Sequence, residues 1–171
     1  MILKGKCHLL GDDINTDYII ASKYRSMGLD FKGMAKHLLE DLDPNISNSI
    51  QKGDFLVAGR NFGCGSSREF APRVILEAGI SAILALSYAR IFYRNSLNVG
   101  LRLLECDTRS IRNGDIIEID LKTWTAKDLT QDLSIPIKPL PPFMIQILND
   151  GGLVPHFKKW GGFHMIEGDR L

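Results

Sequence analysis

Apolar residues follow two different periods in the middle of the chain. Three strand-like segments occupy 54–59, 81–86 and 100–105, of which the first two contain the uninterrupted apolar runs 55–58 and 82–86, whereas 70–78 and 89–99 carry apolar residues at helical spacing. Runs that are apolar at successive positions are typical of strands buried on both faces of a parallel sheet. The alternation of three strands with two helices therefore predicts a parallel βαβαβ unit with right-handed crossovers.

The regions on either side of this unit predict further strands. Ile2 to Leu10 mixes apolar and polar residues in the manner of an opening strand. Turn-forming residues at 113–115 precede a predicted strand at 116–121, and 123–127 is expected to return antiparallel to it. The four prolines within 135–142 predict an extended connector.

Helices and irregular segments account for the remaining residues. The spacing of apolar residues over 31–42 is that of a helix packed on one face, and two shorter helices are expected at 143–148 and 153–160. The segment 21–30 lacks a clean period and is expected to form a mobile loop, which is a common place for specificity residues. The tail 161–171 is rich in glycine and charge, and we expect it to be disordered.

These elements predict a single α/β domain over residues 1–160, in which a parallel βαβ core carries flanking antiparallel strands. The 171 residues suffice for one core of ordinary size, and 44% hydrophobic with 24% charged residues is typical of a soluble globular protein. A formal charge of +1 without a basic cluster argues against a nucleic-acid partner. No apolar run reaches the length that spans a membrane, and the absence of a signal-peptide pattern favours a cytoplasmic location.

The three cysteines, Cys7, Cys64 and Cys106, are odd in number and far apart in the sequence. Their spacing argues against a disulfide framework, and also against a metal or iron–sulfur site formed by this chain alone. Cys7 and Cys106 are expected to be small buried side chains, whereas Cys64 lies inside a glycine-rich turn.

That turn is the most informative stretch of the chain, Asn61-Phe62-Gly63-Cys64-Gly65-Ser66-Ser67-Arg68-Glu69. It is expected between a strand and a helix, where free backbone N–H groups and the positive end of a helix dipole favour an anion. Gly63 and Gly65 allow a ligand to approach the main chain, while two hydroxyls and a guanidinium could hold a carboxylate. The stretch therefore favours a site for a small acidic molecule.

Ser66 and Glu69 also have the spacing of a capping box, which would make their role purely structural. Other catalytic motifs do not fit the spacing. The stretch lacks the third glycine of a dinucleotide fingerprint and the Gly-Lys pair of a phosphate loop. Arg68 stands where a nucleophile elbow needs a glycine. Farther along, Arg90 and Arg94 lie four apart on one side of a predicted helix and are interpreted as a solvated basic face.

With these pieces in place, the chain resembles the family of 3-isopropylmalate dehydratase small subunits, which correspond to the swivelling β/β/α domain of aconitase. The likeness covers about residues 1 to 160, and its central motif is highly specific to this superfamily. The matching segments are Asp13–Ile20, Gly59–Glu69, Ser87–Asn95, Asn98–Leu101 and Gly151–Leu153.

The resemblance implies removal of water from a hydroxy acid and its re-addition with the hydroxyl on the neighbouring carbon. It implies that Ser66 supplies the alkoxide base, that Ser67, Arg68 and Gly65 hold a substrate carboxylate, and that Asp17 orients an arginine or the serine. The family also uses a 4Fe–4S cluster, whose cysteine ligands lie in a separate large subunit. We therefore expect no cofactor on this chain, and no turnover without its partner.

The resemblance places the substrate-specificity segment at Tyr24-Arg25-Ser26-Met27. Relatives acting on homoaconitate carry arginine at the third of these positions, and isopropylmalate enzymes carry an apolar residue. Ser26 fits neither pattern, while Arg25 lies one place early and Met27 one place late. The missing arginine favours isopropylmalate over related hydroxy diacids, such as homocitrate-type or dimethylmalate compounds, because an unpaired buried carboxylate is costly.

Two other function classes stay open from the sequence. The chain could be a non-catalytic module that binds carboxylates or regulates a partner. A self-sufficient serine hydrolase is less compatible with it, because the four histidines form no recognisable pairing with an acid.

Overall fold

The structure, a computed structural model, describes residues 1–162. The predicted tail 161–171 lies outside the described residues except for its first two positions, so its expected disorder and the boundary at 160 stay predictions. Within residues 1–162, seven strands form one sheet: β1 (Ile2–Leu9), β2 (Phe55–Ala58), β3 (Ala82–Ala85), β4 (Arg102–Glu105), β5 (Ile116–Asp120), β6 (Thr125–Asp128) and β7 (Leu133–Pro136).

Eight helices occur in the part of the chain that the structure describes: α1 (Thr16–Ile19), α2 (Ser22–Ser26), α3 (Phe31–Ala35), α4 (Ile46–Ser49), α5 (Ala71–Glu77), α6 (Arg90–Val99), α7 (Pro142–Asn149) and α8 (Leu153–Trp160). Within residues 1–162, no helix has the length and apolar character needed to cross a membrane.

The sheet has the order β4-β3-β2-β1-β5-β6-β7. Strands β1 to β4 pair in parallel, whereas β1 pairs with β5, β5 with β6 and β6 with β7 in antiparallel fashion. The predicted α/β fold, with its parallel βαβ core and flanking antiparallel strands, is confirmed. The parallel core has the order β2-α5-β3-α6-β4, and β1 adds a fourth parallel strand beside β2.

Successive side chains of the parallel strands point into two different cores. Leu56 and Ile83 pack with the helices, together with Ile75 of α5 and Phe92 of α6. Their neighbours in the strands lie in a second core on the opposite face, which also holds residues of the antiparallel strands, such as Ile119. The sheet is therefore curled, and β2 and β3 are apolar at every position because both of their faces are covered.

The prediction of a mobile loop at 21–30 is wrong, because residues Ser22–Ser26 form the short helix α2. Tyr24 holds this helix in place. It is buried, its hydroxyl donates a hydrogen bond to Glu40, and its ring stacks on His37 with the centroids 4.0 Å apart. A single anchoring aromatic residue leaves no apolar period in the sequence.

Two further element predictions need correction. The helix expected over 31–42 ends at Ala35, and the chain continues in turns that include the left-handed Leu39 (φ 58°). The connector expected over 135–142 begins instead as β7, which pairs with β6 at the sheet edge. An edge strand tolerates Pro136, because one side of such a strand needs no amide donor.

Candidate active site

The glycine-rich stretch follows β2 and lies at the carboxyl end of the parallel strands, where ligand sites in such sheets commonly form. Backbone hydrogen bonds join it to the segment that follows β1. The Gly63 N–H donates to the Ile14 carbonyl at 2.7 Å, and the Thr16 N–H donates to the Cys64 carbonyl at 2.9 Å. The Thr16 hydroxyl donates to the Ser66 carbonyl at 2.8 Å. The position of Ser66 is thus fixed from the segment that also carries Asp17.

A second set of backbone hydrogen bonds joins the same stretch to the start of α6. The Phe62 N–H donates to the Ser87 carbonyl at 3.1 Å, and the Ala89 N–H donates to the Phe62 carbonyl at 2.9 Å. Phe62 is fully buried, and its ring meets Phe92 of α6 edge to face, with the centroids 5.3 Å apart. The segment after β1, the glycine-rich stretch and the start of α6 are distant in sequence, and these hydrogen bonds bring them together around Ser66.

Gly63 is required where the stretch passes over α6. Its φ is +79°, a left-handed conformation that side chains disfavour. A Cβ atom at this position would lie 2.1 Å from Cγ of Phe92. The absence of a side chain thus allows α6 to approach the stretch closely.

Ser66 and Ser67 are exposed and border a cavity of about 310 Å³. Arg68 and Thr16 line the same cavity, and so do the first turn of α6 and Asn95. Gly65, predicted as a binding residue, also borders this cavity. The two serine hydroxyls and a guanidinium therefore share one cavity.

Arg68 is held rigidly behind the serines. Its Nη2 forms an ion pair with the Asp17 carboxylate, and its Nη1 donates to the Ile20 carbonyl at 3.2 Å. Its side chain is only 12% exposed, whereas that of Asp17 is 56% exposed. The Arg68 Nε is buried and has no hydrogen-bond partner within residues 1–162. The structure thus places Asp17 against the arginine rather than the serine.

The capping-box interpretation of Ser66 and Glu69 is wrong. Helix α5 begins only at Ala71, its N-cap residue is Phe70, and no side chain caps it. The anion site expected at the N-terminus of this helix does not coincide with the serine cavity, which no residue of α5 borders. The helix end that borders the serine cavity is that of α6. The sequence carries no sign of this arrangement, because backbone hydrogen bonds join α6 to the glycine-rich stretch and do not depend on side-chain type.

The specificity segment lies apart from the serine cavity. Arg25 borders a different cavity of about 380 Å³, together with Phe31, Phe70 and Arg73. The Ser26 hydroxyl donates to the Ser22 carbonyl at 3.4 Å inside α2, and Met27 is 70% exposed. The structure therefore brings Ser66, Ser67, Gly65, Arg68 and Asp17 together, but not Arg25, Ser26 and Met27. The roles of all eight residues stay predictions.

The three cysteines do not fit a cluster-binding set. Burial raises the pKa of the Cys7 and Cys106 thiols to about 12. The Cys64 thiol donates to the Asp13 carbonyl at 3.4 Å, and burial together with the Asp13 charge raises its pKa. Among the residues that the structure describes, no three His, Cys, Asp or Glu side chains are grouped to hold a metal.

A larger cleft of about 650 Å³ lies beside the end of β1, but it contains none of the predicted site residues. His8 borders it and forms a buried pair with Asp54, with Nε2 and Oδ2 2.8 Å apart. Asp54 also accepts from the backbone N–H groups of Lys6 and Gln51, at 3.1 and 2.9 Å. Asp54 thus ties β1 to the start of β2, and we assign it a structural role.

Comparison with known proteins supports the resemblance across almost the whole chain. The small subunit 2 of 3-isopropylmalate dehydratase from Archaeoglobus fulgidus is 47% identical over 161 residues, which cover 94% of this chain and 98% of that protein. The small subunit of the Wolinella succinogenes enzyme is 49% identical, over 92% of this chain and 94% of that protein. The chain belongs to the family of 3-isopropylmalate dehydratase small subunits.

The fold and the domain profile agree with this family. The crystal structure of 3-isopropylmalate dehydratase from Methanocaldococcus jannaschii superposes with a TM-score of 0.89 at 43% identity, covering 93% of this chain and 95% of that chain. Residues 39–109 match the aconitase C-terminal domain family. The matched range contains Ser66, Ser67, Arg68 and the helix α6.

Proposed function

We propose that this chain is the small subunit of a hydro-lyase that interconverts 2-isopropylmalate and 3-isopropylmalate, a step of leucine biosynthesis. Relatives that carry the name 3-isopropylmalate dehydratase small subunit over nearly the whole chain support this function. The observation that carries the chemistry is the exposed Ser66 beside the ion-paired Arg68 in one cavity.

Ser66 acts as the base in this proposal. Its alkoxide oxygen takes the proton from the substrate carbon, the carbon–hydrogen electron pair becomes the new double bond, and the hydroxyl departs from the neighbouring carbon. Re-addition of water reverses these events with the hydroxyl on the other carbon. A serine hydroxyl is a weak base near neutral pH, so its anion needs nearby donors and positive charge. Arg68 and the first turn of α6 border the same cavity and supply both.

Ser67, Arg68 and the Gly65 backbone hold one carboxylate of the substrate. Asp17 keeps the Arg68 guanidinium in place, which limits the freedom that substrate binding must otherwise remove. The Ile20 carbonyl adds a second fixed contact. Arg68 is thus oriented before the substrate arrives.

The large subunit supplies the rest of the active site. We place the 4Fe–4S cluster there, because the three cysteines of this chain do not form a ligand set. The exposed serines and the 45% exposed Ile91 beside them form the face on which that subunit docks. This chain alone is then expected to give no turnover.

The substrate choice follows from what the cavities offer. Arg25 borders its own cavity with two aromatic rings, and the serine cavity contains no residue of the specificity segment. A third carboxylate would therefore lack a dedicated cation beside Ser66, which favours isopropylmalate over a homocitrate-type acid.

A substrate panel on the reconstituted complex tests the proposal. We expect the complex with the cognate large subunit to isomerise 2-isopropylmalate with a higher kcat/KM than homocitrate or dimethylmalate. Preference for one of the other acids would assign the chain to a related dehydratase. Absence of turnover with every acid, in a complex with a loaded cluster, would refute the enzymatic function and leave a non-catalytic carboxylate-binding module.

A further inference from the structure

Part of the wall of the serine cavity is formed by α6, a helix of ten residues whose N-terminus has no side-chain cap. Its N-cap residue, Ala89, provides no side-chain acceptor. The first helical hydrogen bond runs from the Tyr93 N–H to the Ala89 carbonyl at 2.9 Å. The N–H groups of Arg90, Ile91 and Phe92 thus bond to no residue within 1–162. Free N–H groups and the positive end of the dipole favour an anion here.

A second observation at the same wall points to a ligand. Asn95 is 94% buried, being 6% exposed, and it borders the cavity one turn after Ile91. Its side-chain amide forms no hydrogen bond with any of residues 1–162. The fully enclosed side-chain atoms without a partner among the described residues are the Arg68 Nε and the Ser96 hydroxyl, so the Asn95 amide keeps access to the cavity that it borders. Buried polar groups are nearly always partnered, and this amide is therefore available to a ligand in the cavity.

Arg90 adds a positive charge at the mouth of this wall. It is exposed, it borders the cavity, and it forms no ion pair with the described residues. Arg68, by contrast, is already paired with Asp17. Arg94 lies one turn farther along the helix, is equally exposed and does not border the cavity. Both arginines are exposed, as the interpretation of a solvated basic face requires, but only Arg90 also borders the cavity.

We propose that Arg90, Asn95 and the free N–H groups of the first turn of α6 form a second carboxylate subsite, in the same cavity as the one formed by Ser67 and Arg68. This inference rests on the proposed function, since it assigns the second carboxylate of a dicarboxylic substrate. Both subsites border the cavity that Ser66 also lines, so a hydroxy diacid held at both ends would lie beside the serine oxygen. A monocarboxylic acid fills only one of them.

The test combines a binding readout on the full chain with kinetics of the complex. In 15N-labelled chain titrated with 2-isopropylmalate, we expect shifts of the Arg90, Ile91 and Phe92 amides and of the Asn95 side-chain amide. In the complex, Arg90→Gln and Asn95→Asp should raise KM about 10- to 100-fold, the range for hydrogen bonds to a charged group, with a smaller effect on kcat. Arg94→Gln is the matched control and should leave KM unchanged.

Arg90 is exposed, so its variant tests the subsite even where an Asn95 substitution unfolds the chain. Unchanged KM in Arg90→Gln and Asn95→Asp, together with unmoved α6 amides, would overturn the subsite while the isomerase activity persists. Loss of complex assembly in Arg90→Gln without a change in the titration shifts would assign Arg90 to docking and overturn its part of the subsite. Titration shifts in a chain whose complex is inactive would support the subsite and refute the proposed function alone.

Discussion

Gly63→Ala tests whether the close approach of α6 determines the shape of the site. The substitution places a Cβ atom 2.1 Å from Cγ of the Phe92 ring, well inside contact distance. Phe92 is 2% exposed and rests against Phe62, so the ring has no room to withdraw. We expect α6 to move away from the glycine-rich stretch and the serine cavity to widen.

The magnitude follows from two separate costs. A left-handed backbone angle costs an alanine about 1–2 kcal/mol, and overpacking a buried ring adds about 1–3 kcal/mol. Gly28 offers a matched control, because its φ is +78° against +79° for Gly63, but a Cβ there would meet nothing within 4 Å. Gly28→Ala should therefore show the first cost alone.

Urea unfolding of the two variants and the unsubstituted chain measures the difference. With a slope of about 2 kcal/mol per molar urea, the Gly63 variant should unfold about 0.5–1.5 M below the Gly28 variant. The same Gly63 variant should lose isomerase activity with the large subunit, while the Gly28 variant keeps it. Equal unfolding midpoints for the two variants would refute the contact with Phe92 as a determinant of the site.

Three other predictions concern the ion pairs and the thiols. Asp17→Asn removes the carboxylate that forms an ion pair with Arg68. Because the guanidinium is then no longer held in position, we expect turnover of the complex to fall about 10²-fold, while gel filtration shows unchanged assembly with the large subunit. Full activity of this variant would contradict the positioning role of Asp17. Hydrogen bonds from Lys159 and His156 lower the pKa of Asp150 from 3.8 to about 2, so this carboxylate stabilises the fold above pH 4, and the contribution disappears as the pH falls through 2. At pH 6 the urea midpoint of the Asp150→Asn variant should lie below that of the unsubstituted chain, and the two midpoints should approach each other towards pH 2. A difference between the midpoints that does not depend on pH would contradict the stabilising role of the Asp150 carboxylate. A thiol-reactive disulfide reagent at pH 8 should modify only Cys64 in the native chain. Cys7 and Cys106 are buried, and their pKa of about 12 keeps them as unreactive thiols. Modification of all three cysteines at one rate would contradict the burial of Cys7 and Cys106.

The central part of the fold was predictable because burial on both faces leaves a strong trace in the sequence. Strands β2 and β3 are buried at all four positions, and such runs cannot be mistaken for alternating strands. Strand β7 and helix α2, which were not predicted, leave only a weak hydrophobic pattern in the sequence. Strand β7 buries Ile135 alone, and α2 is anchored by the single buried ring of Tyr24. One buried residue gives no period.

The site was predictable where its residues are close together in the sequence. Residues close in sequence, such as Ser66, Ser67 and Arg68, could be assigned to one turn directly, and the resemblance added Asp17. Residues that are distant in sequence, and that only the fold brings to the serine cavity, were not predicted. Asn95 looks like any polar residue in a helix, and only its burial beside the serine cavity without a partner distinguishes it.

The most direct test of the account is Ser66→Ala in the reconstituted complex, with Ser49→Ala as a control because Ser49 lies outside the serine cavity. We predict that the Ser66 variant assembles with the large subunit and binds 2-isopropylmalate, but loses isomerisation and exchange of the substrate carbon-bound proton with deuterated water by at least about 10³-fold. The control should keep both activities. Full proton exchange in the Ser66 variant would contradict the assignment of this oxygen as the base.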